Sequence, residues 1–566
     1  MNFKLAGISA AAVLLAACGS MGPGAPSAPS SPIALGADPA QACTALAAGI
    51  DAAAIGLPTR GATIDSAVIV GASPASVAPG GPTPASRVNP ATPSNCKVLG
   101  RILPVVPAAP PILFQVNLPL NWNGRSVQYG GGGFNGVLIS GLALGPAGRW
   151  DQPSPLAQGF VTYGTDSGHQ NKPGEAPQAF AANEEAFINF AHASYKKVRD
   201  VAVALTQRAY GRAPYKMYFM GSSEGGREGL TMAQRYPNDF DGIFSRVPVI
   251  NWTGLMHASN RAGLTTMGDA WMPRAKVELV HNAVLAACDE LDGVKDNLVA
   301  NPVGCKARFD VSKLQCTGAD AANCLNAAQV KAVQSYHSSY KFPFALANGV
   351  TEYPGWGVSG EGTPAGGPTG GWSAWYVGSS APSQPAKPDN GISWFFGSGA
   401  LRHIFVRDAN FDVTKYAPEL YDTRVLEVSA LMDSTNPDLS AFHARGGKLI
   451  MLENMADYAQ SPYAGIGYYE SVVKKMGNDA ADKFIRLYTA PGVDHVGNGA
   501  PGNVDALSAL SHWVERGQAP ANLTVVDQEL KVPFVTLREL PLCAWPAWPR
   551  YRSGDVKSAS SFECVK

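Results

Sequence analysis

Three residues of this chain, Ser223, Asp457 and His495, have the types, order and surroundings needed for nucleophilic chemistry. Ser223 is central in Gly221-Ser222-Ser223-Glu224-Gly225, directly after the apolar run Met217-Tyr218-Phe219-Met220. This reads as a strand entering a tight G-x-S-x-G turn, with a helix beginning near Gly226 and the serine thrust above the sheet edge. A serine hydroxyl is a poor nucleophile until a base takes its proton and donors receive the resulting oxyanion. The motif alone is weak in a chain with 61 glycines. A base and an orienting acid on loops after later strands make it specific, in the order serine, acid, histidine. Asp457 follows the strand-like Lys448-Leu449-Ile450-Met451-Leu452, and His495 follows Phe484-Ile485-Arg486-Leu487-Tyr488. Asp494 is a rival acid, but a sequence neighbour on a loop rarely reaches the imidazole nitrogen. Expected oxyanion donors are the backbone N–H of Glu224 and that of Gly132, within Gly130-Gly131-Gly132-Gly133.

A second group of residues points to a hard cation. In Cys288-Asp289-Glu290-Leu291-Asp292-Gly293-Val294-Lys295-Asp296, a loop turning at Gly293 can aim Asp289, Asp292 and Asp296 inward. The carbonyls of Val294 and Leu298 would complete an oxygen shell for calcium. The alternative is a solvated acidic loop.

The positioning elements read as α/β. Short apolar runs alternate with amphipathic stretches over 98–248, including Ser126-Val127-Gln128-Tyr129 before the four glycines and apolar residues at helical spacing over 188–210. The pattern resumes near Gly447. Between them it breaks down, so residues 251–420 read as a lid inserted into one catalytic domain formed by 41–250 and 421–566. Trp372, Trp375, Trp394, Phe395 and Phe396 lie in this lid and either sandwich an aromatic acyl group or pack its core. Arg402 binds a substrate carboxylate or makes a structural ion pair.

Composition narrows the partners. Lysine plus arginine equal aspartate plus glutamate at 44 each, with no basic run interleaved with aromatics, which disfavours a nucleic-acid partner. Lys4 and the apolar residues 5–17 form a targeting segment, and Leu15-Ala16-Ala17-Cys18 reads as a lipobox in which Cys18 is lipidated. An ordinary secretory cleavage site is the alternative. Residues 1–18 would be the signal, 19–40 a flexible tether, and the location the outer membrane, the lipid anchor being its sole membrane contact. The other eight cysteines suggest disulfides in an oxidising compartment, paired by sequence proximity as Cys43–Cys96, Cys288–Cys305, Cys316–Cys324 and Cys543–Cys564. A zinc site is disfavoured, since no C-x-x-C pair or histidine cluster is nearby.

With these residues in hand, the chain resembles the tannase/feruloyl esterase family of α/β-hydrolases from about Cys43 to Cys564. The markers are Gly130-Gly131-Gly132-Gly133-Phe134-Asn135-Gly136, Gly221-Ser222-Ser223-Glu224-Gly225-Gly226-Arg227, Cys288-Asp289-Glu290-Leu291-Asp292-Gly293-Val294, Pro491-Gly492-Val493-Asp494-His495, and Leu542-Cys543 with Phe562-Glu563-Cys564. Within it, the lipobox and Ser-Glu-Gly-Gly-Arg resemble the bacterial mono(2-hydroxyethyl) terephthalate hydrolases. The resemblance implies an α/β-hydrolase fold with a lid, a structural calcium in that lid, and esters of small aromatic acids as substrates. It also implies a disulfide joining the positions of Ser222 and Val496, which this sequence cannot form. The expected function is a serine carboxylesterase whose activity falls as pH drops through about 6 to 7, where a histidine base protonates. The alternatives are an amidase or peptidase with the same triad and a non-catalytic surface-anchored binding protein.

Overall fold

The computed structural model describes residues 28–29, 31–81, 85–362, 370–387 and 389–566; Cys18 and the signal lie outside them. Eleven strands form one sheet. In chain order they are β1 (Ala62–Val70), β2 (Asn95–Ile102), β3 (Ile112–Pro119), β4 (Arg125–Tyr129), β5 (Val161–Thr165), β6 (Lys216–Ser222), β7 (Gly242–Arg246), β8 (Lys448–Asn454), β9 (Ile485–Ala490), β10 (Leu523–Gln528) and β11 (Thr536–Ala544). Across the sheet they run β10-β11-β9-β8-β7-β6-β4-β5-β3-β2-β1. The central strands from β9 to β5 are parallel, and antiparallel strands flank them on both sides.

Side-chain alternation along the central strands makes two cores. On β6, Met217 and Phe219 point to one face while Tyr218 and Met220 point to the other; on β8, Leu449 and Met451 oppose Ile450 and Leu452. The first face is covered by the helices Ser194–Tyr210 and Pro462–Met476, through residues such as Val198, Leu205 and Val472. The second is covered by Ala506–Arg516, through Leu507, Leu510 and Trp513. Burial on both faces explains why β6 and β8 are continuous apolar runs.

A helical lid enters after β7 and leaves before β8. Its core gathers Tyr336, Trp356, Trp372, Trp394 and Phe405, and it extends to Val425, Val428 and Met432 on the helix Asp422–Met432. The helix Asp422–Met432, beyond the expected limit of 420, thus packs on the same core as the inserted helices. The expected tether over 19–40 also ends early. Ile33–Ala34 pairs with Asn121–Trp122, Leu35 is fully buried, and the helix Pro39–Thr44 is capped by Asp38. The four cysteine pairs are bonded as sequence proximity suggested. No helix among the described residues is long and apolar enough to cross a membrane.

Candidate active site

The end of β6 positions Ser223. Ser223 adopts φ 61° and ψ −121°, outside the regions an L-residue ordinarily occupies, and the helix Glu224–Arg235 begins directly after it. The flanking glycines are required. A Cβ on Gly221 would lie 2.0 Å from the Gly225 carbonyl oxygen, and one on Gly225 would lie 2.6 Å from that of Gly131. The strained turn is tied down by backbone bonds, from Ser223 N–H to Arg246 O (3.0 Å) and from Arg227 N–H to Ser223 O (3.1 Å).

Loops after β8 and β9 bring the other two residues to it. His495 Nε2 lies 2.9 Å from Ser223 Oγ, and His495 Nδ1 lies 2.7 Å from Asp457 Oδ2. Asp457 is held by N–H bonds from Ala459 (2.7 Å) and Gln460 (3.0 Å) to its other oxygen. Gln460 Nε2 reaches both Glu453 Oε2 (2.8 Å) and Asp457 Oδ2 (3.3 Å). Burial, reinforced by the Asp457 charge, holds Glu453 well above the ordinary carboxylate range. The rival Asp494 does a different job: its Oδ1 accepts the N–H groups of Val496 (3.0 Å) and Asn498 (2.8 Å), folding the histidine loop around itself. With Ser222 and Val496 in place of a bridge, this turn and the Arg246 Nη1 bond to Ser222 Oγ (3.0 Å) hold the two loops.

The glycine loop after β4 packs against the turn that carries Ser223. Glu224 stands at the first helical position, where its N–H has no intrahelical acceptor. Gly225 N–H donates to Gly131 O (3.1 Å), while Glu228 accepts from Gly131 N–H (3.0 Å) and Asn135 Nδ2 (2.7 Å). Gly133 borders the cleft at Ser223; Gly132, one place earlier, is exposed and gives its carbonyl to Asn135 N–H. Fully buried Arg227 pairs with Glu224 (Nε to Oε1, 2.7 Å) and donates to the carbonyls of Ala191 and Met432, fixing the helix start against its neighbours. Asn135, Glu228 and Gln460 escape sequence reasoning, since no spacing rule marks their cross-loop bonds.

A narrow cleft of about 40 Å³ opens on Ser223 and His495. Its aromatic walls are Phe134, Trp252, Trp375 and Phe396, with the Trp375 ring 6.2 Å from that of His495. Of the five lid aromatics, Trp375 and Phe396 face the cleft. Trp372 and Trp394 are fully buried in the lid core, and Phe395, partly buried, lies tilted against Phe396 without lining the cleft. Arg402 is buried away from the cleft, bonded to Phe411 O and Gln384 Oε1.

The acidic loop sits where lid sequence meets catalytic core. Asp289 is enclosed by N–H donors from Asp296, Asn297 and Leu298. Asp292 Oδ2 and Asp296 Oδ1 are buried with no partner. Burial pushes Asp292 up to about 6 and raises Asp296 as well, each aggravated by neighbouring carboxylates. Arg538 of β11 pairs with Asp296, and Leu298 joins the catalytic-domain core. Cys316, Asp320 and Cys324 also converge, but both sulfurs are in a disulfide and offer no thiolate.

Comparison with known proteins agrees with this architecture. The profile of the family described as tannase and feruloyl esterase matches residues 96–565. An uncharacterized esterase of Agrobacterium fabrum is 38% identical, over 92% of this chain and 93% of the relative. The mono(2-hydroxyethyl) terephthalate hydrolase of Piscinibacter sakaiensis is 33% identical, over 85% of this chain and 86% of its own. Among solved structures, feruloyl esterase B from Aspergillus oryzae superposes with a TM-score of 0.72 at 23% identity, covering 92% of this chain and all of that one, and shares the fold. The chain belongs to the tannase and feruloyl esterase family, has the α/β-hydrolase fold, and is a carboxylic ester hydrolase.

Proposed function

We propose that the enzyme hydrolyses esters of small aromatic carboxylic acids through an acyl-enzyme on Ser223. The observation carrying this reading is the continuous Ser223–His495–Asp457 hydrogen-bonded chain at the floor of an aromatic cleft. Ser223 Oγ attacks the ester carbonyl carbon as its proton passes to His495 Nε2, and Asp457 steadies the imidazolium. The oxyanion receives N–H bonds from Glu224 and from Gly132 or its neighbour Gly133. Collapse breaks the carbon–alcohol oxygen bond, His495 returns the proton to the leaving alcohol, and water releases the acid by the same steps. Trp375, Phe396, Phe134 and Trp252 supply flat apolar walls for an aromatic acyl group. The names of the terephthalate and feruloyl ester-cleaving relatives support that substrate class.

A panel of methyl ferulate, methyl gallate and a terephthalate monoester, run beside the matching anilides, tests the reading. Turnover of at least one aromatic ester is expected, with the anilides slower by orders of magnitude. Faster anilide hydrolysis would establish an amidase, and tight binding without turnover a binding protein.

We also propose that the acidic loop holds a structural calcium through Asp289, Asp292 and Asp296, with the carbonyls of Val294 and Leu298. The two unpartnered buried carboxylate oxygens suit a hard cation. Bound there, the ion would neutralise the crowded carboxylates. Four disulfides suit an oxidising, exported setting.

A further inference from the structure

Beside the histidine loop lies a second cleft of about 540 Å³, which shares no lining residue with the cleft at Ser223. Its walls include Trp150, Arg246, Val496, Gly497, Asn498 and Arg538. Arg246, from the end of β7, is only 5% exposed, yet it makes no ion pair with any described residue. Its Nη1 is committed to Ser222 Oγ at 3.0 Å. Its Nε is buried without a partner, and its Nη2 stands 3.3 Å from where a Cβ on Gly497 would be, at the cleft wall.

The unused atoms form the side edge of the guanidinium. Elsewhere in this chain the same Nε–Nη2 edge grips a carboxylate with both nitrogens. Arg125 does so on Glu515 at 2.8 and 2.5 Å, and Arg149 on Asp151 at 3.0 and 2.7 Å. The carboxylates nearest Arg246 are otherwise engaged: Asp457 with His495, Asp494 with its own loop, Glu453 with Gln460. Asp527, also on the wall, faces the charge of Arg538, which is itself paired with Asp296. A buried cation with an unfilled fork is costly unless an anion completes it. Pro146, Ala147 and Trp150 line the same cleft and offer apolar surface for the body of an organic acid.

We propose that this cleft is a second binding site, for a small organic carboxylate received by Arg246 through Nη2, its guanidinium atom at the cleft wall. Ester hydrolysis releases an acid of this class beside it.

The test uses the full enzyme with Ser223 blocked by paraoxon, so that the acyl cleft is filled, and benzoate titrated by calorimetry. One benzoate should bind per chain, weakened roughly tenfold or more in Arg246→Gln. Because that variant also loses a bond to Ser222 and can misfold, crystals of the native protein soaked with 4-bromobenzoate provide a second reading, with bromine expected in this cleft. No binding to the blocked enzyme, bromine confined to the acyl cleft, or sulfate competing as strongly as benzoate would each overturn the carboxylate site. Failure of paraoxon to modify Ser223 would instead count against the nucleophile and leave the crystal reading intact.

Discussion

Asp457 and Asp494 sit on adjacent loops near one imidazole, yet their oxygens are used differently. Asp457 gives Oδ2 to His495 and anchors Oδ1 on two backbone N–H groups. Asp494 gives Oδ1 to the turn that carries His495. Replacing Asp457 by Asn removes the negative partner and permits the wrong histidine tautomer, so kcat should fall by roughly 10²- to 10⁴-fold with the fold intact. Asp494→Ala removes a turn brace, leaving two N–H groups without their acceptor. It should lower stability by about 1–3 kcal/mol and reduce kcat far less. Kinetics and urea unfolding of the two variants check this, and equal losses of kcat would contradict the division of roles.

At the scale of elements, the acidic loop and the histidine loop touch. Leu298 packs so closely on Gly492 that a Cβ there would lie 2.0 Å from Leu298 Cδ1, and Leu298 shares a core with Val493. A cation organising the acidic loop would thus firm the base of the turn bearing His495. Elemental analysis of protein purified without added metal should find about one calcium per chain. Its removal by chelator should lower Tm by roughly 5 °C or more and be reversed by calcium alone. Metal-free protein whose Tm ignores both chelator and calcium would remove the claim.

For the whole molecule, a parallel sheet collects at one end the loops that its own sequence scatters. Ser223 and His495 are 272 positions apart, and His495 and Asp457 are 38 apart. Their convergence was legible because each follows a buried apolar run, and parallel strands deliver their following loops to the same edge. The helical insertion between β7 and β8 was legible as a break in that alternation. Its far limit was not, because Val425, Val428 and Met432 show which core they join only once the lid is folded. The early end of the tether was hidden for a related reason: a two-residue strand, Ile33–Ala34, has no periodicity to read. Arg246 belongs to no motif, and its setting depends on residues 145–150, 496–503 and the strands β10 and β11, which meet only in the fold. The central claim is that Ser223 becomes acylated. Intact-mass and peptide analysis after a millisecond acid quench with an aromatic ester measures this directly. The acyl mass should appear once, on the peptide containing Ser223, and both the adduct and the turnover should vanish in Ser223→Ala. An adduct on another residue, or undiminished ester turnover in that variant, would contradict it.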